Sequence, residues 1–363
     1  MLFCAPYIVY LAYIKHYVKK PWALKIDKSF QPFVSILVPA HNEEDTISKK
    51  LENLAAVAYP KEKMEIIVVD DASEDGTLMK VEGFIETRPE LNIKVIKQNP
   101  RAGKSAALNK ALTVSTHSIV IVSDADTYWY PEILAKAMPY LADPTVGAIT
   151  GRGINENIKS SWVTSAENTY LNLACLIRTA ESKIHSTIRF EGGFCAYKKG
   201  AFKEFDRETG SDDSGTALDV VQHNMRAILV PEIVFTTSFP TSLSGKLKIK
   251  ARRANQLVGL WVKCFKLLLK GRLILPLKIT VPEIMLFIVN PLVFLILIIA
   301  GLVHVSLFPV SFFSLFLLLL IGGLLVFARN LFLELIIDNL LLLYASASYL
   351  FGRRYVAWAN TKN

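Results

Sequence analysis

The feature of this 363-residue sequence that most restricts its fold is a nearly unbroken run of Leu, Ile, Val and Phe over residues 284–350. About 20 apolar residues span the hydrocarbon core of a bilayer as a helix, so the run predicts three transmembrane helices. Glu334, Asp338 and Asn339 lie in the third of them. Because such groups are costly in hydrocarbon, we expect them to face protein or a water-filled cavity. The predicted spans are 284–303, 310–327 and 331–350.

The remaining sequence has the punctuation of a globular domain. The chain as a whole is 52% hydrophobic and 20% charged, with a mean hydropathy of +0.34. This average is too apolar for an ordinary soluble enzyme and too charged for a pure membrane bundle. The four cysteines, at positions 4, 175, 195 and 264, have neither pairing nor CxxC spacing. A disulfide framework is therefore excluded, and structural zinc has no support.

The net charge of +9 is concentrated where apolar segments end. This distribution is typical of cytoplasmic flanks that lie against anionic lipid headgroups. It differs from a nucleic-acid surface, on which basic residues alternate with aromatic ones, so nucleic acid is not expected as a partner. The basic residues concerned are Lys15, Lys19, Lys20, Lys246, Lys248, Lys250, Arg252, Arg253, Lys263, Lys266, Lys270 and Arg272.

An N-terminal apolar stretch, residues 2–14, is shorter than a full span. It lacks the basic start and the small-residue cleavage site of a signal peptide. We interpret residues 1–20 as a membrane anchor.

Between residue 33 and about residue 230, short β-branched runs alternate with helical segments. Runs of this length and apolarity are typical of buried parallel strands. A βαβ series predicts a mostly parallel sheet with its ligand site at the carboxyl ends of the strands. The predicted strands are 34–38, 66–69, 93–96 and 119–122, and the predicted helices are 43–56, 75–85 and 104–114.

Polar segments follow three of these strands: residues 39–44 (PAHNEE), 70–77 (DDASEDGT) and 123–126 (SDAD). Any one of them alone would be read as an Asx turn or a helix N-cap. Three segments at one edge of a sheet favour a binding site. Asp124 and Asp126 are two residues apart, so on an extended strand end both carboxylates project to the same side. That arrangement suits Mg²⁺ or Mn²⁺ bound together with a diphosphate. The sequence has no Walker A loop and no GxGxxG after a strand, which disfavours an NTPase or a dinucleotide enzyme.

These segments, together with residues 103–109 (GKSAALN), resemble the inverting family 2 glycosyltransferases, which have a GT-A fold. The resemblance covers residues 34–253 and implies a nucleotide-sugar donor, most simply a UDP-sugar. It assigns donor binding to the loop after the first strand, to the second aspartate of the Asp-Asp pair, to the segment 103–109 and to the first DxD aspartate; the second DxD aspartate binds the metal. The implied donor residues are Pro39, His41, Glu43, Asp71, Lys104 and Asp124, and the implied metal ligand is Asp126.

Two later segments resemble the acceptor side of the same family. Gly192 and Gly193 match a glycine turn that lets the backbone approach a sugar, and alone they would be an ordinary turn. Asp212 and Asp213 match an acceptor-site segment whose last aspartate is the general base, so Asp213 is implied as the base. As a bare pair they would be read as a helix N-cap.

Residues 250–254 (KARRA) lie where membrane polysaccharide synthases carry a Gln-x-x-Arg-Trp motif. Arg253 aligns with the arginine that meets the diphosphate, while Lys250 replaces the glutamine and Ala254 the tryptophan. Loss of this aromatic platform puts processive elongation in doubt. Residues 243–269 are also amphipathic and basic, as in a helix at a membrane surface.

The sequence thus predicts an α/β GT-A enzyme with interfacial helices and α-helical transmembrane segments, multi-pass in the cell membrane, with its catalytic domain cytoplasmic. Its leading predicted function is to add a sugar in β-linkage to a growing glycan, as in hyaluronan, poly-N-acetylglucosamine or cellulose synthases. The alternative is transfer of a single sugar to a polyprenyl phosphate or another lipid. A non-catalytic glycan-assembly subunit is disfavoured, because the sequence has the expected aspartates at the metal and base positions. The predicted units are 1–20, 33–240, 241–275 and 281–351.

Overall fold

The computed structural model describes residues 5–156 and 162–353. The strands are β1 Val34–Ala40, β2 Met64–Asp71, β3 Ile93–Gln98, β4 Ile119–Val122, β5 Thr127–Trp129, β6 Val146–Asn155, β7 Cys195–Lys198 and β8 Arg226–Thr237. The helices are α1 Ala5–Val18, α2 Ile47–Ala55, α3 Thr77–Thr87, α4 Lys104–Val114, α5 Ile133–Leu141, α6 Trp162–Ile184, α7 Asp212–Gln222, α8 Leu243–Leu269, α9 Leu277–Ile284, α10 Asn290–Leu307, α11 Phe312–Phe327 and α12 Arg329–Leu350.

The strands form one sheet in the order β3-β2-β1-β4-β7-β6-β8-β5. The four predicted strands, β1 to β4, are all present, and they pair in parallel with one another. β6 and β8 are also parallel, while β7 and β5 run antiparallel to their neighbours. The predicted α/β fold with a mostly parallel sheet is confirmed.

Helices cover both faces of the sheet. One core contains apolar residues of α2, β1 and β2 together with α5, which packs on β6 and β8; the other places α4, α7 and α8 against the opposite face. The burial of β1, β2 and β4 along their whole length explains their β-branched and mostly apolar sequences. Helix α4 has the predicted bounds. Helix α2 begins at Ile47 rather than at residue 43, because Asn42 adopts a positive φ of 54° and the amide of Glu43 donates to Thr77 Oγ1.

The predicted membrane region is only partly matched. Within the part of the chain that the structure describes, two helical segments are long and apolar enough to cross a membrane, Leu277–Leu307 and Phe332–Leu350. The predicted middle span corresponds to α11, which has 16 residues and is shorter than a full span. Large apolar side chains on α10 and α11, among them Leu307, Leu319 and Phe327, are exposed. Water disfavours a contiguous surface of this kind.

Helix α8 packs against α12 through buried charges. Lys246 Nζ lies 2.5 Å from Glu334 Oε2, and Lys250 Nζ contacts Glu334 and lies 2.8 Å from Asp338 Oδ1. The polar residues of the third predicted span therefore face protein, as expected. The interpretation of Lys246 and Lys250 as lysines extended toward lipid headgroups was wrong, because both side chains are buried in ion pairs with α12.

Helix α1 packs on α6, where Ile14 contacts Ile177 and Ala180. Within its described part it has 14 residues, fewer than a full span. Residues 1–4 of the predicted anchor lie outside the described residues.

Candidate active site

The carboxyl ends of β1 and β4 open into a cavity of about 370 Å³, a volume within the usual range for small-molecule sites. Most of the predicted site residues line it. Pro39, His41 and Asp71 are not among its lining residues. The predicted residues that do line the cavity are Glu43, Lys104, Asp124, Asp126, Gly192, Gly193, Asp212, Asp213 and Arg253.

Lys104, the first residue of α4, links the two predicted halves of the site. Its Nζ lies 2.8 Å from Asp124 Oδ1 and 3.1 Å from Asp212 Oδ2. Burial disfavours the ammonium, but the two carboxylates outweigh this effect and raise the pKa of Lys104 well above its ordinary value. A fixed positive charge therefore stands between the DxD segment and the Asp-Asp pair.

The two acidic residues of the Asp-Asp pair are in different environments. Burial raises the pKa of Asp212 to about 6, against the attraction of Lys104. Asp213 Oδ1 accepts hydrogen bonds from Ser211 Oγ at 2.5 Å and from the Ser214 amide at 2.6 Å. These bonds are those of a helix N-terminus, and they also fix the orientation of a carboxylate that lines the cavity.

Asp71 acts through the loop before α4. One carboxylate oxygen accepts from Gln98 Nε2 and the Ala102 amide, and the other accepts from the Gly103 amide at 2.8 Å. Gly103, the N-cap of α4, has a φ of 89°, which a side chain would disfavour. Asp71 therefore stabilises the turn at Ala102 and Gly103, which positions Lys104 in the cavity. Similarly, His41 Nδ1 is bound to the Asp71 carbonyl oxygen at 2.9 Å.

The glycine turn lies directly against the DxD segment. A Cβ on Gly192 would come within 2.7 Å of Asp124 Oδ2 and 2.9 Å of Lys104 Nζ, and a Cβ on Gly193 would clash with the ring of Phe235. The Asp124 amide donates to the Gly192 carbonyl at 3.3 Å. Both positions therefore require glycine, because a side chain at either one would collide with neighbouring atoms.

The donor set fits a hard divalent cation. Asp124 and Asp126 both line the cavity and offer carboxylate oxygens. The described residues contain no group of three acidic, His or Cys side chains arranged around one point. Carboxylate oxygens are the ligands that Mg²⁺ and Mn²⁺ prefer in proteins.

Helix α8 contributes two arginines to the cavity wall. The side chain of Arg253 is 54% exposed and lies 3.7 Å from Glu167. Arg252 is more enclosed, and no described residue accepts a hydrogen bond from its Nε. Burial and the neighbouring Arg253 lower the pKa of Arg252, while Asp124, Asp212 and Asp213 oppose this shift. Arg252, which has no counterpart in the predicted site, therefore lies within electrostatic reach of the three aspartates.

Two further features were missed from sequence. Lys50 of α2 is fully buried beneath the DxD segment. Arg178 and Arg189 also line the cavity; Arg178 pairs with Glu191, which precedes the glycine turn, and Arg189 Nε lies 3.1 Å from Glu283. The signal for Lys50 was its spacing from Ile47, Leu51 and Leu54 on the apolar face of α2, whereas nothing in the sequence brought Arg189 next to Glu283.

Residues 35–205 match the model of the glycosyl transferase family 2. A mannosyltransferase from Pyrobaculum calidifontis, solved in complex with GDP-Man and Mn²⁺, is 31% identical and superposes with a TM-score of 0.83 over 97% of this chain and 96% of its own. The chain belongs to glycosyl transferase family 2. Its fold is therefore the GT-A-like glycosyltransferase fold that the sequence predicted.

Curated relatives of this family 2 chain match over shorter regions. The β-monoglucosyldiacylglycerol synthase of Synechocystis sp. is 37% identical over 123 residues, 33% of this chain and 25% of its own length. An N-acetylglucosaminyltransferase of Bradyrhizobium diazoefficiens is 27% identical over 238 residues, 62% of this chain and 48% of its own length. The chain thus spans about a quarter to a half of these relatives. They support the family, but they do not specifically support the narrower resemblance to hyaluronan or cellulose synthases.

Proposed function

We propose that this protein is a membrane-associated, metal-dependent inverting glycosyltransferase that moves one sugar from a nucleotide-sugar to a lipid-linked acceptor. The observation that carries the proposal is the position of Lys104, which is paired with both a DxD aspartate and an acceptor-side aspartate within one cavity. The donor-side and acceptor-side aspartates are therefore close enough to take part in the same transfer reaction.

The donor side consists of Glu43, Lys104, Asp124, Asp126 and Arg252. A divalent cation held by Asp126, with Asp124 beside it, supplies charge neutralisation of the diphosphate. Lys104 and Arg252 stabilise the negative charge that the leaving diphosphate gains. The mannosyltransferase relative, solved with GDP-Man, favours GDP-mannose over the UDP-sugar predicted from sequence.

Asp213 is the proposed general base. Its carboxylate accepts the proton of the acceptor hydroxyl, whose oxygen forms the new bond to the anomeric carbon from the face opposite the diphosphate. The bond from that carbon to the diphosphate oxygen breaks, and its electron pair stays on the phosphate. The two hydrogen bonds at Asp213 Oδ1 orient the carboxylate for this role. Asp212 instead serves as the counter-charge of Lys104.

The packing of α8 supports transfer of a single sugar rather than polymerisation. Ala254, which replaces the tryptophan of polysaccharide synthases, is buried against Val258 of its own helix and Ala345 of α12. An indole at this position would collide with α12 and would not face the cavity. Trp261 is also no substitute, because it stacks on Phe287 in the core.

A lipid-linked acceptor agrees with the location of the site. The cavity wall includes α6 and α8, and α8 packs on the apolar helix α12. The exposed apolar surfaces of α10 and α11 require a cover such as lipid. We accordingly place the domain at a membrane surface, on the cytoplasmic side, where nucleotide-sugars are available.

The test is a nucleotide-release screen of the full-length protein in detergent across GDP- and UDP-sugars with Mg²⁺ or Mn²⁺, followed by product analysis with labelled donor and a membrane lipid extract. We expect release with GDP-mannose and a labelled lipid that carries one sugar. A labelled polymer would overturn single transfer. Absence of release with every donor would overturn the enzymatic function.

A further inference from the structure

Lys50 is a buried amine to which the reaction above gives no role. It lies on the core face of α2 and is fully buried, and burial lowers its pKa to about 7 against the attraction of Asp124 and Asp126. A buried polar group of this kind costs free energy unless its hydrogens have acceptors. Lys50 Nζ donates to Ser123 Oγ at 2.5 Å and to the Thr127 carbonyl oxygen at 2.8 Å.

These two acceptors flank the DxD segment. Ser123 and Thr127 immediately precede and follow Asp124, Ala125 and Asp126, so one side chain holds both ends of this segment against α2. Lys50 is not among the residues that line the cavity. Its influence on the reaction must therefore pass through the segment that it holds.

The same lysine also supports the acceptor-side turn. The Gly193 carbonyl accepts from Trp129 Nε1 at 2.7 Å and from Ser123 Oγ at 3.3 Å. The Trp129 ring lies 4.9 Å from Lys50 Nζ, in cation–π range. Thr127 Oγ1 also donates to this carbonyl, at 3.5 Å, so Lys50 contacts all three residues whose side chains bind the Gly193 carbonyl.

We propose that Lys50 is a positioning residue that fixes the DxD segment and the Gly192–Gly193 turn as one unit, so that metal, diphosphate and acceptor keep a common geometry. The inference rests on the proposed function, since it assigns the metal to the DxD segment. Groups that orient metal ligands from behind commonly change metal affinity or activity about 10- to 100-fold when they are removed. Small displacements of a reacting group have effects of similar size.

The experiment uses the full chain in detergent and the variant Lys50→Met, which keeps most of the side-chain volume but removes the donors. Mn²⁺ is titrated in the presence of GDP by calorimetry, and turnover of GDP-mannose is measured over a range of Mn²⁺ concentrations. We expect about 10- to 100-fold weaker Mn²⁺ binding and a loss of turnover that is partly reversed at high Mn²⁺. Lys50→Arg, which retains donors, is expected to restore part of the affinity.

Lys49→Met is the matched control, because Lys49 is the adjacent residue but is exposed, with its ammonium over the Tyr128 ring. It is expected to behave as wild type. A folded Lys50→Met protein with wild-type Mn²⁺ affinity and turnover would overturn the inference. If Lys50→Met fails to fold, Ser123→Ala removes one acceptor only and is expected to weaken Mn²⁺ binding in the same direction; unchanged binding would again overturn it. Failure of the wild type to bind Mn²⁺ with either GDP or UDP would instead reject the proposed function, and the inference with it.

Discussion

Replacing Lys104 with methionine removes the cation that joins the two halves of the site. The side chain is only 18% exposed, and its ammonium lies 2.8 Å from Asp124 and 3.1 Å from Asp212. Methionine preserves the apolar stem and leaves the two carboxylates facing each other without a counter-charge. The substitution therefore separates the electrostatic role of Lys104 from its packing.

The expected loss of activity follows from the charge that develops on the diphosphate. Removal of one preorganised group that stabilises such charge lowers kcat by about 10²- to 10³-fold, or ~2.7–4 kcal/mol. Breaking a buried ion pair by removing one partner lowers the free energy of unfolding by about 3–5 kcal/mol. We expect the loss in the free energy of unfolding to lie at the lower end of this range, because Asp212, with a pKa raised to about 6, can take up a proton when Lys104 is absent.

The assay is nucleotide release at saturating donor and Mn²⁺, with thermal unfolding measured on the same preparations. Lys110→Met is the control on the same helix, since Lys110 is exposed and its ammonium donates only to the Lys97 carbonyl. The control should match wild type in both measurements. A folded Lys104→Met enzyme that keeps kcat within about threefold of wild type would refute the electrostatic role derived from the structure.

Four other outcomes are expected. Because Asp212 pairs with Lys104 only when ionised, kcat/KM should rise with pH through about 6, and Asp212→Asn should lose this limb of the pH profile; a profile that is unchanged in the variant would contradict the pairing. Asp126→Ala should lower Mn²⁺-dependent turnover about 10²-fold or more, whereas unchanged turnover would support the non-catalytic alternative. Arg252→Ala should reduce kcat about 10-fold or more and Arg253→Ala much less. Steady-state kinetics that show the larger loss for Arg253→Ala would contradict this prediction. Gly193→Ala, in which the new methyl group meets the Phe235 ring, should lower the free energy of unfolding by about 1–3 kcal/mol in denaturant titrations.

Strands β1, β2 and β4 were predictable because they are buried along their whole length, and such strands have β-branched, mostly apolar sequences. β3 also lies where it was expected, but as an edge strand it is only partly buried, contrary to the prediction of a buried strand. The polar segments after β1, β2 and β4 were also predictable as a group, since parallel strands end at one edge of a sheet. The start of α2 was misplaced, because the turn before it depends on a hydrogen bond to Thr77, the first residue of α3.

The C-terminal charges show where sequence reasoning stops. A lysine at the end of an apolar segment has the same local pattern whether it extends to a headgroup or enters a buried ion pair. Lys246 and Lys250 do the latter because α12 brings Glu334 and Asp338 alongside α8, 84 or more residues away in the chain. Similarly, the sequence shows that Ala254 replaces a tryptophan, but it does not show that α12 occupies the space in which a tryptophan would lie.

By itself, then, the sequence determined the α/β class, the family and the polar segments at one edge of the sheet, because these depend on local patterns and on strand direction. Only the tertiary structure decided which charges meet. It placed Lys104 between Asp124 and Asp212, brought Arg252 into the cavity wall beside Arg253, and buried Lys50 under the DxD segment. The physical reason is that electrostatic interactions depend on distance and burial in space, and neither is encoded in the spacing of residues along the chain.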